Sequence, residues 1–315
     1  MARAATLGLA ALGVLGALVS GRHQGEPSGD EPPIWERIDL PSVAACGGCH
    51  LEVYREWSQS LHAKAWTNAN VRAATEDFAQ AACRPCHSPL PVLPRGLGKP
   101  PAYRAFNQDD GVHCLSCHGM EGGVAAARTL EAPCKPRYEP RFLEADSCYP
   151  CHEPTHDAFT EYETSDAFAV GVRCVDCHMQ PAPDRPGRSH GPSGGMNAAF
   201  VERALAWDVR VADGVLVVEL RNRTGHKFPG EIPSRSFVLS VRFDDAEPQR
   251  TLLRKPHKGE EREDDRLLPD ETRALRFPVP DGARAADVRL LFLPLPLLRD
   301  DQGFELGRRA LELGR

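Results

Sequence analysis

Five times between Cys46 and His178 the chain repeats the pattern C-x-x-C-H: CGGCH at Cys46 to His50, CRPCH at Cys83 to His87, CLSCH at Cys114 to His118, CYPCH at Cys148 to His152 and CVDCH at Cys174 to His178. Each reads as a c-type haem attachment site, in which the two thiols bond the haem vinyl groups and the next residue brings an imidazole to the iron. The cofactor-binding residues are then Cys46, Cys49, Cys83, Cys86, Cys114, Cys117, Cys148, Cys151, Cys174 and Cys177, and the proximal iron ligands are His50, His87, His118, His152 and His178. A single motif of this kind could belong to a zinc site or a thioredoxin-like pair. Zinc knuckles, however, would leave five histidines fixed behind a cysteine pair without a reason, and a thioredoxin motif does not repeat within a domain. The expected cofactor is five covalently attached haem c.

That load bears on what the chain can bury. Aromatic residues make up only 7%, while Pro (28) and Gly (27) are abundant. The motif-bearing part has little conventional core, so the haems must supply much of its buried apolar surface, and without them it should not fold. A formal charge of -6 excludes a broadly basic nucleic-acid binder. Haem propionates would add to that charge and favour a basic docking partner, although a merely soluble surface explains it equally well. Of the 11 cysteines only Cys134, in EAPCKPRYEP, falls outside the motifs. A free thiol, an intermolecular disulfide and an unusual ligand are all open to it, and no role is assigned.

The N-terminus speaks to compartment. Arg3 precedes an apolar run from Leu7 to Val19 that ends at Ser20 and Gly21. That length suits a signal-peptide core and is short for a bilayer span. Residues 1–21 are therefore expected to be a signal peptide, an uncleaved anchor being the alternative, and the mature protein to be periplasmic or at the outer surface. With no cysteine before Cys46, a lipoprotein anchor is excluded. Residues 22–41, rich in Gly, Pro and acidic side chains, form an extended leader that contains His23.

Within residues 42–200, the expected pentahaem domain, the first segment reads CGGCHLEVYREWSQSLHAKAW, where Val53, Trp57, Leu61 and Ala65 recur at helical spacing. His62 on that segment is either a packing residue or a second axial ligand, and where imidazoles are in demand the ligand reading is preferred. The motif followed by Trp57, Ser60, His62 and Ala63 resembles the N-terminal signature of multihaem cytochromes similar to cytochrome c-554. So do ACRPCHSPL at Ala82 to Leu90, DGVHCLSCHG at Asp110 to Gly119 and YETSDAFAVGVRCVDCHM at Tyr162 to Met179. The resemblance spans about Ala45 to Gly195. It implies haems in stacked and perpendicular pairs held by short helices and long irregular loops.

Four further histidines are candidate distal ligands. His113 stands immediately before Cys114 and can point at a neighbouring iron, or be a surface histidine. His156 lies four residues past His152; on a helix the two would share a face, so His156 could serve only another haem. His190 follows CVDCHM and a polar Pro/Gly loop, an arrangement that resembles the end of this family's haem domain, where that histidine is an axial ligand. His226 lies in NRTGHKFPGEIPSR, which is similar to a loop that follows the haem domain in several multihaem cytochromes; it either reaches back to an iron or is a loop histidine. The Pro- and Gly-rich stretch from Ser88 to Pro101 cannot be a continuous helix and reads as a connecting loop.

From about residue 201 the pattern changes to period two. Leu205, Trp207, Val209 and Val211 alternate with polar or small residues, Asp213-Gly214 turns the chain into VLVVELRN, and β-rich runs follow at Ser236–Phe243, Gln249–Arg254, Thr272–Val279 and Ala286–Leu293. Residues 201–315 are expected to form a small, Ig-like β-sandwich, making the fold class α+β.

Twelve histidines less five proximal ones leave His62, His113, His156, His190 and His226 for five irons, with His23 in the leader and His257 in a charged loop. If all five are used, no iron has an open position. The chain then reads as an electron carrier between a membrane-side donor and a terminal oxidoreductase, with membrane-peripheral docking compatible, no nucleic-acid partner and no catalytic residue. The alternative is a reductase or oxidase of a small nitrogen or sulfur compound with one open haem, with Lys227 and Arg235 near His226 to polarise an oxyanion. A third class, a β-domain that recognises a partner while the haems only relay, fits the architecture without residue-level support.

Overall fold

The computed structural model describes residues 42–233, 235–295 and 298–314. The expected signal peptide (1–21) and leader (22–41), His23 included, lie outside the described residues. Among the described residues no helix is long and apolar enough to cross a membrane.

The motif-bearing part is built from short helices: α1 (Val43–Gly47), α2 (Leu51–Gln59), α3 (Ala69–Ala74), α4 (Arg84–His87), α5 (Val92–Arg95), α6 (Cys114–His118), α7 (Tyr149–His156), α8 (Ala158–Tyr162), α9 (Asp166–Ala169), α10 (Cys174–His178) and α11 (Ala198–Glu202). Their placement follows from the motifs. One turn of helix puts residues i, i+3 and i+4 on one face, which are the two cysteines and the histidine of C-x-x-C-H. Accordingly α4, α6 and α10 each end on the motif histidine, α7 opens inside the fourth motif, and His50 caps α2.

The helical period in the first segment continues to Ala65, but α2 stops at Gln59. Ser60 turns extended (φ −74°, ψ 163°), and its Oγ accepts the Ala63 N–H at 3.2 Å, opening a new turn that carries His62. That turn is clamped from the third-motif side. Val112 N–H donates to His62 O at 2.9 Å and Trp57 Nε1 donates to Val112 O at 2.9 Å. Gly111 (φ +57°) makes the approach possible, because a Cβ there would lie 2.5 Å from His62 O.

The loop after the second motif is held by Arg104, whose exposure is 0%. Its guanidinium donates to the carbonyls of Pro89 (3.4 Å), Phe106 (2.6 Å), Asn107 and Gly111 (2.6 Å). One cation thus replaces the secondary structure that the prolines forbid. The third motif runs into a small sheet, absent from the sequence reading, of β1 (Gly119–Met120), β2 (Gly123–Ala126) and β3 (Pro136–Tyr138). Cys134 precedes β3, exposed and without a disulfide.

The C-terminal part is the expected sandwich. Strands β4 (Leu205–Ala212), β5 (Val215–Asn222) and β8 (Thr272–Pro278) form one sheet in the order β4-β5-β8. Strands β6 (Ser236–Phe243), β7 (Gln249–Leu253), β9 (Ala285–Leu293) and β10 (Phe304–Glu312) form the other, in the order β10-β9-β6-β7. The first, second and fifth strands on one sheet and the remaining four on the other is an Ig-like arrangement with the fourth strand paired to the third. Asp213 and Gly214 both have positive φ (50° and 72°), the geometry of the tight hairpin turn that Asp-Gly favours. Alternation places Leu216, Val218 and Leu220 of one sheet against Phe237, Leu239 and Leu290 of the other, all at 0% exposure.

Replacing Arg104 by Met should leave the carbonyls of Phe106 and Gly111 without a donor, those of Pro89 and Asn107 keeping Ser116 Oγ and the Asp110 N–H, at about 1–3 kcal/mol for each that stays buried and unpaired. The holoprotein is expected to lose several kcal/mol in urea denaturation followed by far-UV circular dichroism. A variant within about 1 kcal/mol of the parent would mean that the guanidinium is not what holds this loop.

Candidate functional site

The fold brings six of the candidate histidines together in three pairs. His62 faces His152 with ring centroids 6.2 Å apart, His118 faces His190 at 6.2 Å, and His178 faces His226 at 6.3 Å. An imidazole–metal bond is about 2 Å long. Two imidazoles on opposite sides of one metal ion therefore hold their ring centres roughly 6 Å apart, which is the spacing of all three pairs. Each pair joins a motif histidine to one outside the motifs. The rings are half-buried or, for His62 and His152, accessible by area. Desolvation by the surrounding protein nonetheless lowers the pKa of His62.

The hydrogen bonds of these rings decide what they can bind. Nδ1 of His87 meets Ala65 O at 2.8 Å, Nδ1 of His118 meets Ala125 O at 3.0 Å, and Nδ1 of His178 meets Ser193 O at 3.2 Å. Outside the motifs, Nδ1 of His190 meets Arg188 O at 3.0 Å and Nδ1 of His226 meets Lys227 O at 3.2 Å. A carbonyl only accepts, so in every case Nδ1 carries the proton and Nε2 presents a lone pair, the tautomer of a metal ligand. Desolvation lowers the pKa of His178, His190 and His226 and pushes His118 down to about 4. These imidazoles therefore stay neutral at physiological pH.

His113 is arranged in the opposite sense. The residue is 4% exposed; ring Nδ1 accepts the Leu115 N–H at 3.0 Å, while the backbone N–H of His113 donates to Ser116 Oγ at 3.1 Å. With Nδ1 unprotonated, Nε2 of the neutral ring carries the hydrogen and has no lone pair to offer. Burial, with Arg104 nearby, pushes its pKa down to about 3. The structure uses His113 as the cap that starts α6, and among the described residues no imidazole stands ring to ring with it. His156 falls on α7, but its side chain lies outside the described residues. His50 is exposed and lies close enough to the His118–His190 pair to act on both rings.

The thiols show how the motifs adjoin. Cys46 of the first motif lies near enough to Cys114 of the third to shift its titration, as do Cys86 of the second to Cys151 of the fourth and Cys148 of the fourth to Cys174 of the fifth. Cys117 of the third motif acts electrostatically on Cys148 and Cys151, and its own thiol is pushed up to about 11 by burial. The motifs thus run first to third to fourth, and the fourth also lies near the second and the fifth. A cavity of about 440 Å³ opens beside the last of these, lined in part by Cys177, His178, Ser193, Phe200 and Arg203.

These residues fit c-type haem. They offer thiol pairs with a neutral histidine on the same helical face, opposed imidazoles at the spacing of a six-coordinate metal, and a buried guanidinium atom, Arg235 Nε, that has no partner. The zinc alternative finds no such support: among the described residues no group of three or more His, Cys, Asp or Glu side chains is arranged to hold a metal ion.

Comparison with known proteins agrees. The family described as cytochrome c554 and c-prime matches residues 45–119, which contain the first three motifs. A solved structure, the penta-heme cytochrome c552 from Thermochromatium tepidum, is similar in fold, with a TM-score of 0.66 and 18% sequence identity over 90% of this chain and 100% of that one. None of the curated proteins matches. Sequence motifs, fold and site together make this chain a multihaem c-type cytochrome. It is similar to the cytochrome c554 family, carries a C-terminal β-rich part, and acts through haem c with redox proteins as partners.

One feature of the site was not read from the sequence. Where the motif-bearing part meets the sandwich, Arg266 (2% exposed) pairs with Glu161 (3.2 Å), Glu231 (2.5 Å) and Asp264 (2.7 Å). Lys227 pairs with Asp264 and Glu161, and Lys255 with Asp157 and Glu231. Four carboxylates share three cations, so one negative charge is in excess. Glu161 absorbs it: burial first, then the adjacent Glu231, push its carboxyl up to about 7, although Arg266 opposes the shift. Asp264, in contact with both Arg266 and Lys227, is held well below the usual carboxylate range despite burial. Because the folded pKa of Glu161 lies above the unfolded one, its proton stabilises the fold fully below about pH 4.5 and that contribution is lost as pH rises through 7. The Glu161→Gln variant should therefore show a flatter stability profile than the parent between pH 5 and 8 in urea titrations. Parallel profiles would place the shared proton elsewhere.

Proposed function

We propose that this protein is an exported pentahaem electron carrier, with haem c at all five motifs and two imidazoles on most of the irons. The observation that carries the reading is the set of three histidine pairs at 6.2–6.3 Å. When bound, the haems supply the one-electron chemistry. The chain's own residues do the rest. His62, His190 and His226, facing His152, His118 and His178, would each help hold an iron between two imidazoles, and such an iron would have no free position for a substrate. Carbonyl-bound Nδ1–H groups raise the basicity of His118, His178, His190 and His226 and fix their orientation. The proximity of the thiols supports a path from the first motif through the third to the fourth, branching there to the second and the fifth. His156 remains the expected ligand for a further iron.

The partners proposed are a membrane-side electron donor and a terminal oxidoreductase. The net acidic chain suits a basic docking face. Export to the periplasm or the outer surface rests on the apolar run Leu7 to Val19 alone.

One observation favours a second reading. With His113 committed to capping α6, four of the five proposed distal histidines remain, His62, His156, His190 and His226, which would leave one iron with an open position or a ligand other than these. That iron would be where a small nitrogen or sulfur compound could bind.

Intact mass with EPR of the oxidised holoprotein tests both readings. Five haems, all low-spin and indifferent to cyanide or nitrite, are expected of a pure carrier. A high-spin fraction near one in five that shifts on adding either ligand would move the assignment to a reductase or oxidase. The ligand roles are tested by His226→Ala, which should convert one haem to high-spin and be rescued by added imidazole. An unaltered spectrum would remove His226 from the ligand set.

A further inference from the structure

Arg235 is a half-buried cation whose Nε is fully buried and, among the described residues, has no anion beside it. It lies in the connection from β5 to β6, where its N–H donates to Ile232 O at 2.9 Å. Its guanidinium rests against two glycines: a Cβ on Gly195 would lie 2.6 Å from its Nε, and one on Gly230 would lie 3.5 Å from Nη1. Nε is buried and unpartnered. Arg185 and Arg262 also have an unpartnered Nε, but each pairs with a carboxylate through Nη2, with Glu56 and Asp265 respectively. Among the described residues no carboxylate pairs with Arg235. Burial alone depresses its pKa, the direction expected when nothing compensates the charge.

Buried charges are ordinarily paired, so an anion that is no part of the polypeptide should lie here. Its location is given by what surrounds the guanidinium: Gly195, against which it packs, lies two residues from Ser193, whose carbonyl accepts from Nδ1 of His178 at 3.2 Å, and the connection that carries Arg235 also carries His226, which faces His178. The thiol of Cys177, at the attachment edge of the same motif, is flanked instead by Asp176 and Arg203. In a c-type haem the propionates leave the ring on the side away from the thioethers. We propose that Arg235 holds a propionate carboxylate of the haem attached at Cys174 and Cys177. Gly195 and Gly230 are bare so that the guanidinium can reach it between the end of the motif-bearing part and the sandwich. The inference rests on the haem reading of the fifth motif.

Arg235→Gln and Gly195→Ala are compared with the parent as holoproteins. The first removes the cation; the second keeps it but occupies its place. Loss of a cation beside a haem disfavours the reduced form, so one midpoint potential of the set should fall in both variants while the others stay. The expected size is on the order of a tenfold change in the oxidised-to-reduced ratio at fixed potential, about 59 mV for one electron. Arg235→Lys should fall less, and the propionate bending band in resonance Raman spectra should move with the loss of its partner. Should the glutamine variant fail to load haem, the Gly195→Ala and Arg235→Lys potentials decide. Unchanged potentials would overturn the inference. So would added sulfite or nitrite that shifts this haem in the parent and not in Arg235→Gln, since the guanidinium would then serve a free oxyanion. A parent mass that lacks a haem at the fifth motif would overturn the haem reading itself, and is told apart from the other outcomes before any potential is measured.

Discussion

A hydrogen bond from imidazole Nδ1 to a backbone carbonyl recurs at His87, His118, His178, His190 and His226, and the rest of the site depends on it. A neutral imidazole carries one hydrogen on either nitrogen. Only when Nδ1 holds it does Nε2 keep a lone pair aimed away from the chain. Each bond contributes only about 1 kcal/mol net, but it converts a side chain with two tautomers and a free χ2 into a directed ligand. It also ties each ligand to a second stretch of backbone. The carbonyl for His87 belongs to Ala65, three residues after His62, so the turn that Ser60 opens serves two sites at once. The carbonyl for His118 belongs to β2, which gives the small three-stranded sheet a purpose that its size would not suggest.

The same bond explains which histidines could be read from sequence. The motif ligands are legible because their geometry is local: one helical turn fixes Cys, Cys and His on one face whatever else the chain does. The proposed distal ligands are non-local, and residue type alone does not separate a ligand from a cap. His113 and His190 look alike in sequence, each in a loop with Gly and Ser nearby. One accepts from the Leu115 N–H and the other donates to the Arg188 carbonyl, and that difference is a matter of backbone direction. In the sandwich, β4 to β9 were legible from period-two alternation and from Asp-Gly. Strand β10 was not, because FELGRRALE is composed of good helix formers; its pairing with β9 from Phe304 to Glu312 overrides that propensity. The sheet in the Pro-rich segment after the third motif was missed because strands of two to four residues leave no period to detect.

Order along the electron path is a tertiary property for a related reason. Cys46 and Cys114 come near one another across a long stretch of chain, as do Cys86 and Cys151. Closing loops of that length costs entropy that grows only slowly with length, so sequence neighbours hold no advantage over distant ones. The fourth motif becomes the junction because α7 and its flanks lie where three other motifs converge. Two of its links are close approaches of thiols to the second and fifth motifs, and one is the approach of Cys117 from the third.

What, then, does a β-sandwich contribute to a protein whose chemistry sits in short helices? Its β5–β6 connection delivers His226 to face His178, and the same connection carries Lys227, Glu231 and Arg235. A loop reaching into another part of the molecule must be held to tenths of an ångström if its imidazole is to meet a metal on axis. Apolar packing, which is non-directional, does that poorly. The carboxylate and guanidinium cluster around Arg266 does it well, since Glu161 takes the Lys227 N–H at 2.8 Å and Asn222 takes up the His226 carbonyl at 2.8 Å. Buried ion pairs contribute little net stability, because desolvation offsets their attraction. Their value here is directional: the one peptide that joins His226 to Lys227 is held at both ends by partners of defined geometry, its N–H by Glu161 in α8 and its carbonyl by Asn222 in β5. A sandwich with a purely apolar junction could dock in several registers, and only one of them would place an imidazole opposite His178.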